Sequence, residues 1–261
     1  MELFNHKRVA EGYAKDRPSN HRRIIAKIRK ELQLEQSFER GLDVGCGSGS
    51  STAALKELCH QVIGLEEAPE MLRVAQREHQ APDIRFWQGK AEEAPFPEDF
   101  FDIATASGSI NWIDPRLFLP SMSRQIKAGG WLIIYDDAIS SRSAGDESFA
   151  QWYNNEYLAA FPKPFRKEEK WDAELLAPYS FRIVKQEEDA HRVTMNQEEF
   201  LRFMITQSNV VSAVERGERS LESVKEWFRQ TLERIFRGGG REVGFEGYIW
   251  YIQNAKQGRR G

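Results

Sequence analysis

The sequence has few cysteines, no excess of charge of one sign and no long apolar run. Its two cysteines, Cys46 and Cys59, form no CxxC pair or Cys/His cluster, which excludes a disulfide framework and a structural zinc site. With 37 basic and 40 acidic residues the net charge is −3, too little basic charge to favour nucleic-acid binding. The stretch from Trp131 to Tyr135 is too short to cross a bilayer. We therefore expect a cytoplasmic protein with no metal, membrane or nucleic-acid partner.

What is present is a globular composition, 40% hydrophobic and 11% aromatic over 261 residues. A chain of this length can bury one sizeable core, and insertions into one domain explain it better than two equal domains. We therefore expect a single domain that spans residues 1–261.

Short apolar runs alternate with helix-like segments up to Asp137. The runs predicted as strands are Gly41–Val44, Val62–Leu65, Ile84–Trp87, Phe101–Ala106 and Trp131–Tyr135. Between them, one predicted helix begins at Pro69 and another covers Pro115–Ile126. This alternation predicts a doubly wound parallel sheet.

The second half of the chain is richer in helix. A helix is predicted over Ala150–Phe161, a solvated excursion over Pro162–Asp172, and late strands at Phe181–Val184 and Tyr248–Ile252. Asn196, with Glu199 three residues later, is typical of a helix N-cap, and Ser220 is expected to begin another helix. Residues 190–240 are thus predicted to form a helical insertion.

The segment with the clearest sign of a ligand-binding function is Leu42-Asp43-Val44-Gly45-Cys46-Gly47-Ser48-Gly49, which ends a predicted strand and leads into a helix. Glycines there let a ligand approach the backbone closely. Asp43 would be buried in the sheet, where an ionised carboxylate needs a partner such as a cationic ligand group. Glu66 ends the next strand, where a carboxylate can accept bonds from two ribose hydroxyls. Ser50 stands where a dinucleotide site requires its third glycine, so NAD fits less well.

These residues resemble the class I S-adenosylmethionine-dependent methyltransferases. LDVGCGSG is similar to their first motif, and four further segments match later motifs in order. Those segments are Val62–Glu66 with Pro69–Leu72, Gln88–Phe96 with Phe101-Asp102, Ser109–Asp114, and Lys127–Gly130. Upstream, Ala10, Tyr13, Arg17 and Pro18 resemble the N-terminal segment of a small-molecule subgroup that includes trans-aconitate methyltransferase.

The resemblance implies an α/β fold: a doubly wound, Rossmann-like, mostly parallel seven-stranded sheet with an N-terminal helical cap and a helical insertion before the last strand. Within the single domain it suggests five segments. They are a cap (1–34), a cofactor-binding half (35–137), a variable segment with a late strand (138–189), an insertion or lid (190–240), and the last strand with a tail (241–261).

The implied cofactor is S-adenosyl-L-methionine, and the resemblance assigns residues to its parts. Gly45, Gly47 and Asp43 would lie at its methionine and ribose parts, and Glu66 would bind the ribose hydroxyls. Further cofactor-binding residues are then implied along the adenine, at the end of the fourth strand and in the cap: Met71, Ala91, Glu92, Ala106, Ser107, Tyr13 and Arg17.

Two positions depart from the family pattern. Lys90 stands where relatives carry an acidic residue for the adenine amine, and an ammonium cannot accept that bond. Asn111 replaces the histidine that often precedes the tryptophan, which removes the obvious general base and leaves Asn111 and Trp112 as substrate-side candidates. An ionised carboxylate acceptor would need no base, so we favour methylation of a carboxylate or another oxygen nucleophile, mainly by proximity and orientation.

The expected function is therefore methyl transfer to a small molecule by a monomer or homodimer. The alternatives are a protein methyltransferase, an NAD-dependent oxidoreductase and a non-catalytic module that keeps the cofactor fold.

Overall fold

The fold is built on one seven-stranded sheet, seen in a computed structural model that describes residues 4–141, 147–163 and 170–258. The strand order is β3-β2-β1-β4-β5-β7-β6. Strands β1 to β5 are parallel, whereas β7 runs antiparallel to both of its neighbours. The strands are β1 (Phe38–Val44), β2 (Cys59–Glu66), β3 (Ile84–Gln88), β4 (Phe101–Ser107), β5 (Ile126–Ile139), β6 (Phe181–Met195) and β7 (Arg241–Asn254). The predicted fold class is confirmed.

Helices cover both faces of the sheet and form the N-terminal cap and the insertion. They are α1 (Lys7–Asp16), α2 (His21–Glu31), α3 (Ser50–Leu55), α4 (Pro69–His79), α5 (Pro115–Gln125), α6 (Glu147–Gln151), α7 (Leu158–Ala160), α8 (Ala173–Leu176), α9 (Gln197–Met204), α10 (Ser208–Glu215) and α11 (Leu221–Phe236). Short 3-10 turns lie at Ala91–Glu93, Ile110–Trp112 and Ala177–Tyr179.

The central strands are apolar because helices cover them on both sides. Leu42 and Val44 of β1 and Ala104 and Ala106 of β4 are fully buried. Parallel strands bring their carboxyl ends to one edge of the sheet, where ligands bind in open α/β folds. That edge is where the glycine turn after β1 and the carboxylate at the end of β2 meet.

Strand β6 is longer than predicted, and this corrects the boundary of the insertion. The strand pairs with β7 as far as Met195, opposite Arg241, so the insertion begins at residue 196 and not at 190. Its alternate side chains are exposed and mostly polar, so the full length of this edge strand does not form an apolar run in the sequence. His191 lies in this strand, and its side chain is only 13% exposed.

The cap and the insertion pack against each other over the carboxyl edge of the sheet. Val9 and Ala10 of α1 share an apolar cluster with Met71 of α4 and Val211 of α10. The insertion has its own core, whose aromatic members come from the segment after β5, the insertion helices and β7. They are Phe149, Trp152, Tyr153, Tyr157, Phe161, Phe200, Phe203, Phe228, Phe236 and Phe245.

The helix predicted over Ala150–Phe161 is present as α6, a π-helical stretch at Trp152–Tyr157 and α7. The wider π turn places Tyr153 and Tyr157 on one side, toward the carboxyl edge of the sheet. Of the predicted solvated excursion, residues 164–169 lie outside the described residues. No helix among the described parts of the chain is long and apolar enough to cross a membrane.

The predicted N-cap of the insertion is confirmed. The Asn196 side chain accepts from the Glu199 amide at 2.9 Å, and the Glu199 side chain accepts from the Asn196 amide at 2.8 Å. We expect Asn196→Ala to lower the free energy of unfolding by about 1 kcal/mol, since an N-cap to alanine change typically costs that much. Urea denaturation measures this, with Glu233→Ala, at an exposed position of α11, as control. A loss equal to that of the control would contradict the assignment.

Candidate functional site

A cleft of about 830 Å³ lies at the carboxyl edge of the sheet, between the strand ends, the cap and the insertion. Most of the residues predicted from the sequence line it together. They are Tyr13, Arg17, Gly45, Gly47, Glu66, Met71, Ala91, Glu92, Ser107, Asn111 and Trp112. Asp43 and Ala106, also predicted, do not line it.

The glycine turn after β1 requires glycine at its first position. Gly45 has φ +66°, and a Cβ atom there would lie 2.5 Å from Cβ of Ser109. The Ser109 hydroxyl in turn donates to the Val44 carbonyl at 2.8 Å, so it cannot easily move away. Gly47 also has a positive φ of +54°, but the space beside its Cα is open. The turn therefore presents bare backbone to the cleft.

Glu66 ties the end of β2 to this turn. Its Oε2 accepts from the Gly47 amide at 2.9 Å, and its Oε1 accepts from the Ala68 amide at 2.8 Å. Burial raises the pKa of Glu66, while these amides act in the opposite direction. Each carboxylate oxygen can accept more than one bond, so acceptor capacity remains toward the cleft.

The partner of Asp43 differs from the one expected. The sequence suggested a cationic ligand group, but three hydroxyls surround this fully buried carboxylate. Ser51 and Thr52 donate to Oδ2 at 2.6 and 2.7 Å, and Thr105 donates to Oδ1 at 3.0 Å. Burial raises the pKa of Asp43, and the hydroxyls oppose that shift. Asp43 thus joins β1, α3 and β4 from within.

The end of β4 contributes one of its two predicted residues to the cleft. Ser107 lines it, whereas Ala106 is fully buried among core residues of the sheet. Asn111 is exposed at the cleft wall, and Trp112 makes an edge contact with Phe4 at 5.5 Å between ring centroids. Trp112 therefore links the segment after β4 to the N-terminal segment.

The cap residues both line the cleft and connect the cap to the insertion. The Arg17 guanidinium lies 3.8 Å from the centre of the Tyr13 ring. Arg17 also donates from Nε to the Thr206 hydroxyl and from Nη2 to the Thr206 carbonyl, both at 3.2 Å. Arg17 therefore forms part of the cleft wall and also holds the cap against the insertion.

Lys90, Ala91 and Glu92, from the turn after β3, also line the cleft, as does Met71 of α4. Glu92 Oε1 accepts from the Asp114 amide at 3.0 Å, which connects this turn to the start of α5. Lys90 is 3.9 Å from Glu93, a neighbour on the same turn.

The sequence missed a group of cleft residues contributed by the start of α2 and the residue before it, by the end of β5, by the π-helical stretch after β5 and by the insertion. They are Asn20, His21, Tyr135, Asp136, Asp137, Tyr153, Tyr157 and Asn209. The available signal was the acidic pair Asp136-Asp137 directly after a predicted buried strand, the position that singled out Glu66. The others come together only through tertiary structure.

Two of these missed residues have a pKa that is shifted from its ordinary value. Burial, together with the neighbouring Asp136, raises the pKa of Asp137 to about 6. Burial, together with Arg17, lowers the pKa of His21 to about 4, and its Nδ1 lies 3.1 Å from the Tyr135 hydroxyl. Of the two, only Asp137 titrates near neutral pH. Among the described residues, no group of three or more His, Cys, Asp or Glu side chains could hold a metal ion.

Comparison with known proteins supports a methyltransferase domain in the first half of the chain. Residues 42–134 match the family described as "Methyltransferase domain". The chain is 34% identical over 101 residues to the uncharacterized methyltransferase YcgJ of Bacillus subtilis, covering 37% of this chain and 40% of that protein. It is 34% identical over 111 residues to a demethylmenaquinone methyltransferase of Thermus thermophilus, covering 41% and 50%. The matches thus span about half or less of these relatives' length.

A solved structure extends the likeness of the fold. A proposed type II methyltransferase from Anaeromyxobacter dehalogenans aligns with a TM-score of 0.63, covering 88% of this chain and 96% of the other. At 17% identity this likeness concerns the fold alone.

Proposed function

Because residues 42–134 match the methyltransferase domain family, we propose that the chain is a class I methyltransferase that transfers a methyl group from S-adenosyl-L-methionine to a small-molecule acceptor. The observation that carries the proposal is Glu66, whose carboxylate is fixed by the Gly47 and Ala68 amides at the edge of the cleft. A carboxylate so placed is suited to ribose hydroxyls.

The residues present fit the cofactor. The open space beside Gly47 leaves room for a ligand against the backbone, and Glu66 supplies acceptors at its edge. When bound, S-adenosyl-L-methionine supplies a methyl group on a positively charged sulfur. Glu66 would bind its ribose, and Gly45, Gly47 and Ser107 its methionine part. Met71, Ala91 and Glu92 would border its adenine.

The adenine site would depend on shape and backbone. Lys90 has no acceptor for the adenine amine, and the buried Met71 side chain offers an apolar surface. Asp43 and Ala106, being buried away from the cleft, would support the strand ends without contacting the cofactor. The roles of Tyr13 and Arg17 would be to close the cap over this region.

A small-molecule acceptor is supported by the enclosure of the cleft. The cap and the insertion both reach over the strand ends, and Phe4, Trp112, Tyr153 and Tyr157 provide aromatic walls. Similar proteins named as demethylmenaquinone methyltransferases point toward ring-containing, quinone-type acceptors. A protein side chain would have to enter the same enclosed space, which makes protein methylation the runner-up.

The carboxylate acceptor favoured by the sequence is disfavoured by the cleft itself. Asp136 and Asp137 both line it, and a third carboxylate beside them would meet like charge in a partly buried place. An oxygen nucleophile that arrives as a neutral hydroxyl avoids that repulsion. Asn111 and Trp112 would orient it, because in-line positioning supplies much of the rate in such transfers.

Methyl transfer from labelled S-adenosyl-L-methionine tests the proposal. The protein is incubated with a metabolite extract and, separately, with a protein extract, and both are analysed for label. We expect label in a small molecule. Label confined to protein would select the runner-up, and no transfer to either would favour a non-catalytic module.

A further inference from the structure

Two consecutive carboxylates at the end of β5 lie in the wall of the cleft. Oδ2 of Asp137 accepts a hydrogen bond from Nδ2 of Asn20, and the Asp137 amide donates to Oδ1 of Asp136 at 2.9 Å. Within the part of the chain that the structure describes, Oδ1 of Asp137 has no hydrogen-bond partner. One oxygen of Asp137 is therefore held, and the other is free to accept.

A chain of polar contacts behind Asp137 fixes the tautomer of His191. The Arg23 guanidinium donates hydrogen bonds to Asp189 from both terminal nitrogens, and Nη1 lies 2.7 Å from Oδ1. The guanidinium also lies 3.2 Å from Nδ1 of His191. Because a guanidinium can only donate, Nδ1 must accept, and the proton of neutral His191 is on Nε2. That nitrogen lies 3.6 Å from Oδ2 of Asp137.

The arrangement thus directs two N–H groups, from Asn20 and His191, at Oδ2 and leaves Oδ1 for another hydrogen. We infer that Asp137 is the proton acceptor for a hydroxyl group on an aromatic-ring acceptor, and that Asn20 and His191 are its positioning residues. This inference rests on the proposed function and names the substrate class of the same cleft.

An aromatic ring on the acceptor is indicated by the aromatic side chains that line the same cleft as the carboxylates. Tyr153 and Tyr157 line the cleft from the π-helical stretch, and Phe4 and Trp112 line it from the N-terminal segment and the segment after β4. Flat aromatic surfaces pack well against a planar acceptor. A hydroxyl on such a ring is acidic enough to pass its proton to a carboxylate at the moment of transfer, whereas an aliphatic hydroxyl is far less so.

The step balances without any other reactant. The hydroxyl proton moves to Oδ1 of Asp137, and an oxygen lone pair forms the bond to the methyl carbon. The carbon–sulfur bond breaks with its electron pair left on sulfur. The proton on Asp137 passes to water as products leave, so each turnover releases one proton.

The charged groups that face Asp137 decide when it can act. Asp136 on its own strand and Asp189 on β6 favour its protonated form, whereas Arg17 at the end of α1 and Arg23 on α2 favour the ionised form. Burial dominates, so the pKa of Asp137 lies at about 6. Below that pH the carboxyl is protonated and cannot accept, so kcat/KM should fall as pH falls through about 6.

His21 is the rival proton acceptor in the same cleft. Its Nδ1 contacts the Tyr135 hydroxyl at 3.1 Å, and burial lowers its pKa to about 4, which makes it a weaker base than Asp137. The experiment must therefore separate these two residues.

The test compares wild type, Asp137→Asn and His21→Asn, with Asp99→Asn as the matched control. Asp99 is exposed, pairs with Lys256 at 2.7 Å and lies outside the cleft. The probes are 4-nitrophenol and 4-nitro-1-naphthol, whose visible absorbance reports ionisation of the bound hydroxyl without the cofactor. Methyl transfer to the same probes is then followed across pH, and calorimetry with S-adenosyl-L-homocysteine and thermal unfolding check each variant.

We expect the bound probe to ionise about one pH unit or more higher in wild type than in Asp137→Asn, because the neighbouring carboxylate opposes a second negative charge. Asp137→Asn should slow transfer about 100-fold or more and remove the acidic limb of kcat/KM. In His21→Asn and Asp99→Asn, the bound probe should ionise at the same pH as in wild type, and kcat/KM should keep its acidic limb.

The inference is overturned by equal probe ionisation in wild type and Asp137→Asn, or by loss of the shift in His21→Asn instead. It is also overturned when neither probe binds a protein that binds S-adenosyl-L-homocysteine. Failure of wild type to bind S-adenosyl-L-homocysteine would contradict the proposed function itself, so the two failures are distinct.

Discussion

Glu66→Ala is expected to weaken binding of S-adenosyl-L-homocysteine about 100-fold. The proposed ribose contacts are hydrogen bonds to a charged group, each contributing about 1.5–3 kcal/mol, and loss of about 3 kcal/mol corresponds to that factor. The variant also releases the Gly47 amide, which the carboxylate holds at 2.9 Å, so the turn loses its anchor. Isothermal titration calorimetry measures the change.

Glu70→Ala is the matched control, because Glu70 lies four residues later, outside the cleft, and pairs with Arg73 at 2.6 Å. It should bind as wild type does. Burial raises the pKa of Glu66, so wild-type affinity should also decline at acidic pH as the carboxyl becomes protonated. A change of less than about threefold in Glu66→Ala would show that Glu66 does not bind the ribose.

Gly247→Ala is expected to destabilise the protein by about 3 kcal/mol, the upper end of the usual cost of overpacking, because the added Cβ would meet backbone atoms. Gly247 of β7 pairs with Asp137 of β5, and a Cβ atom there would lie 2.0 Å from the Asp136 carbonyl oxygen and 2.8 Å from Cα of Asp137. The strands would have to separate where β5 carries its two carboxylates. Urea denaturation and methyl transfer should therefore both show a loss.

Gly240→Ala is the control for this change. Gly240 precedes β7, and the nearest atom to an added Cβ is a Thr194 methyl carbon at 3.6 Å, an ordinary contact. Its unfolding free energy should stay within about 1 kcal/mol of wild type. Equal stability of Gly247→Ala and Gly240→Ala would contradict the tight pairing of β5 and β7 at the site.

The first five strands could be predicted because two signals coincide there. Buried parallel strands are continuous apolar runs, such as Gly41–Val44 within β1, and the motif residues stand at their ends. The late strands lack the first signal over most of their length. β6 lies at the edge of the sheet, so its exposed alternate residues are polar and its length depends on pairing with β7.

The part of the cleft that we propose for the cofactor has residues that could be placed together from the sequence for the same local reason. Gly45, Gly47 and Glu66 lie within one strand–turn–helix–strand unit, so their spacing carries the information. Asp43 illustrates the limit, since a buried carboxylate demands partners but the sequence does not say which. Three hydroxyls, one of them on β4, satisfy it where a ligand was expected.

The part of the cleft that we propose for the methyl acceptor could not be predicted, because the residues that form it are distant from one another in the chain. Asn20 and Asp137 are 117 positions apart, and Arg23 and Asp189 are 166 apart. They come together only because α2 packs on β5 and β7 and its basic side chains reach β6, and no spacing in the sequence indicates this packing. The same packing replaces the missing histidine at Asn111 with a carboxylate from another strand.

Calorimetric titration of the wild-type protein with S-adenosyl-L-homocysteine and, separately, with NAD tests the central claim most directly. We expect one S-adenosyl-L-homocysteine site per chain with micromolar affinity, a binding constant about 100-fold weaker in Glu66→Ala, and no comparable heat with NAD. Saturable binding of NAD, or no binding of S-adenosyl-L-homocysteine by a folded protein, would contradict it.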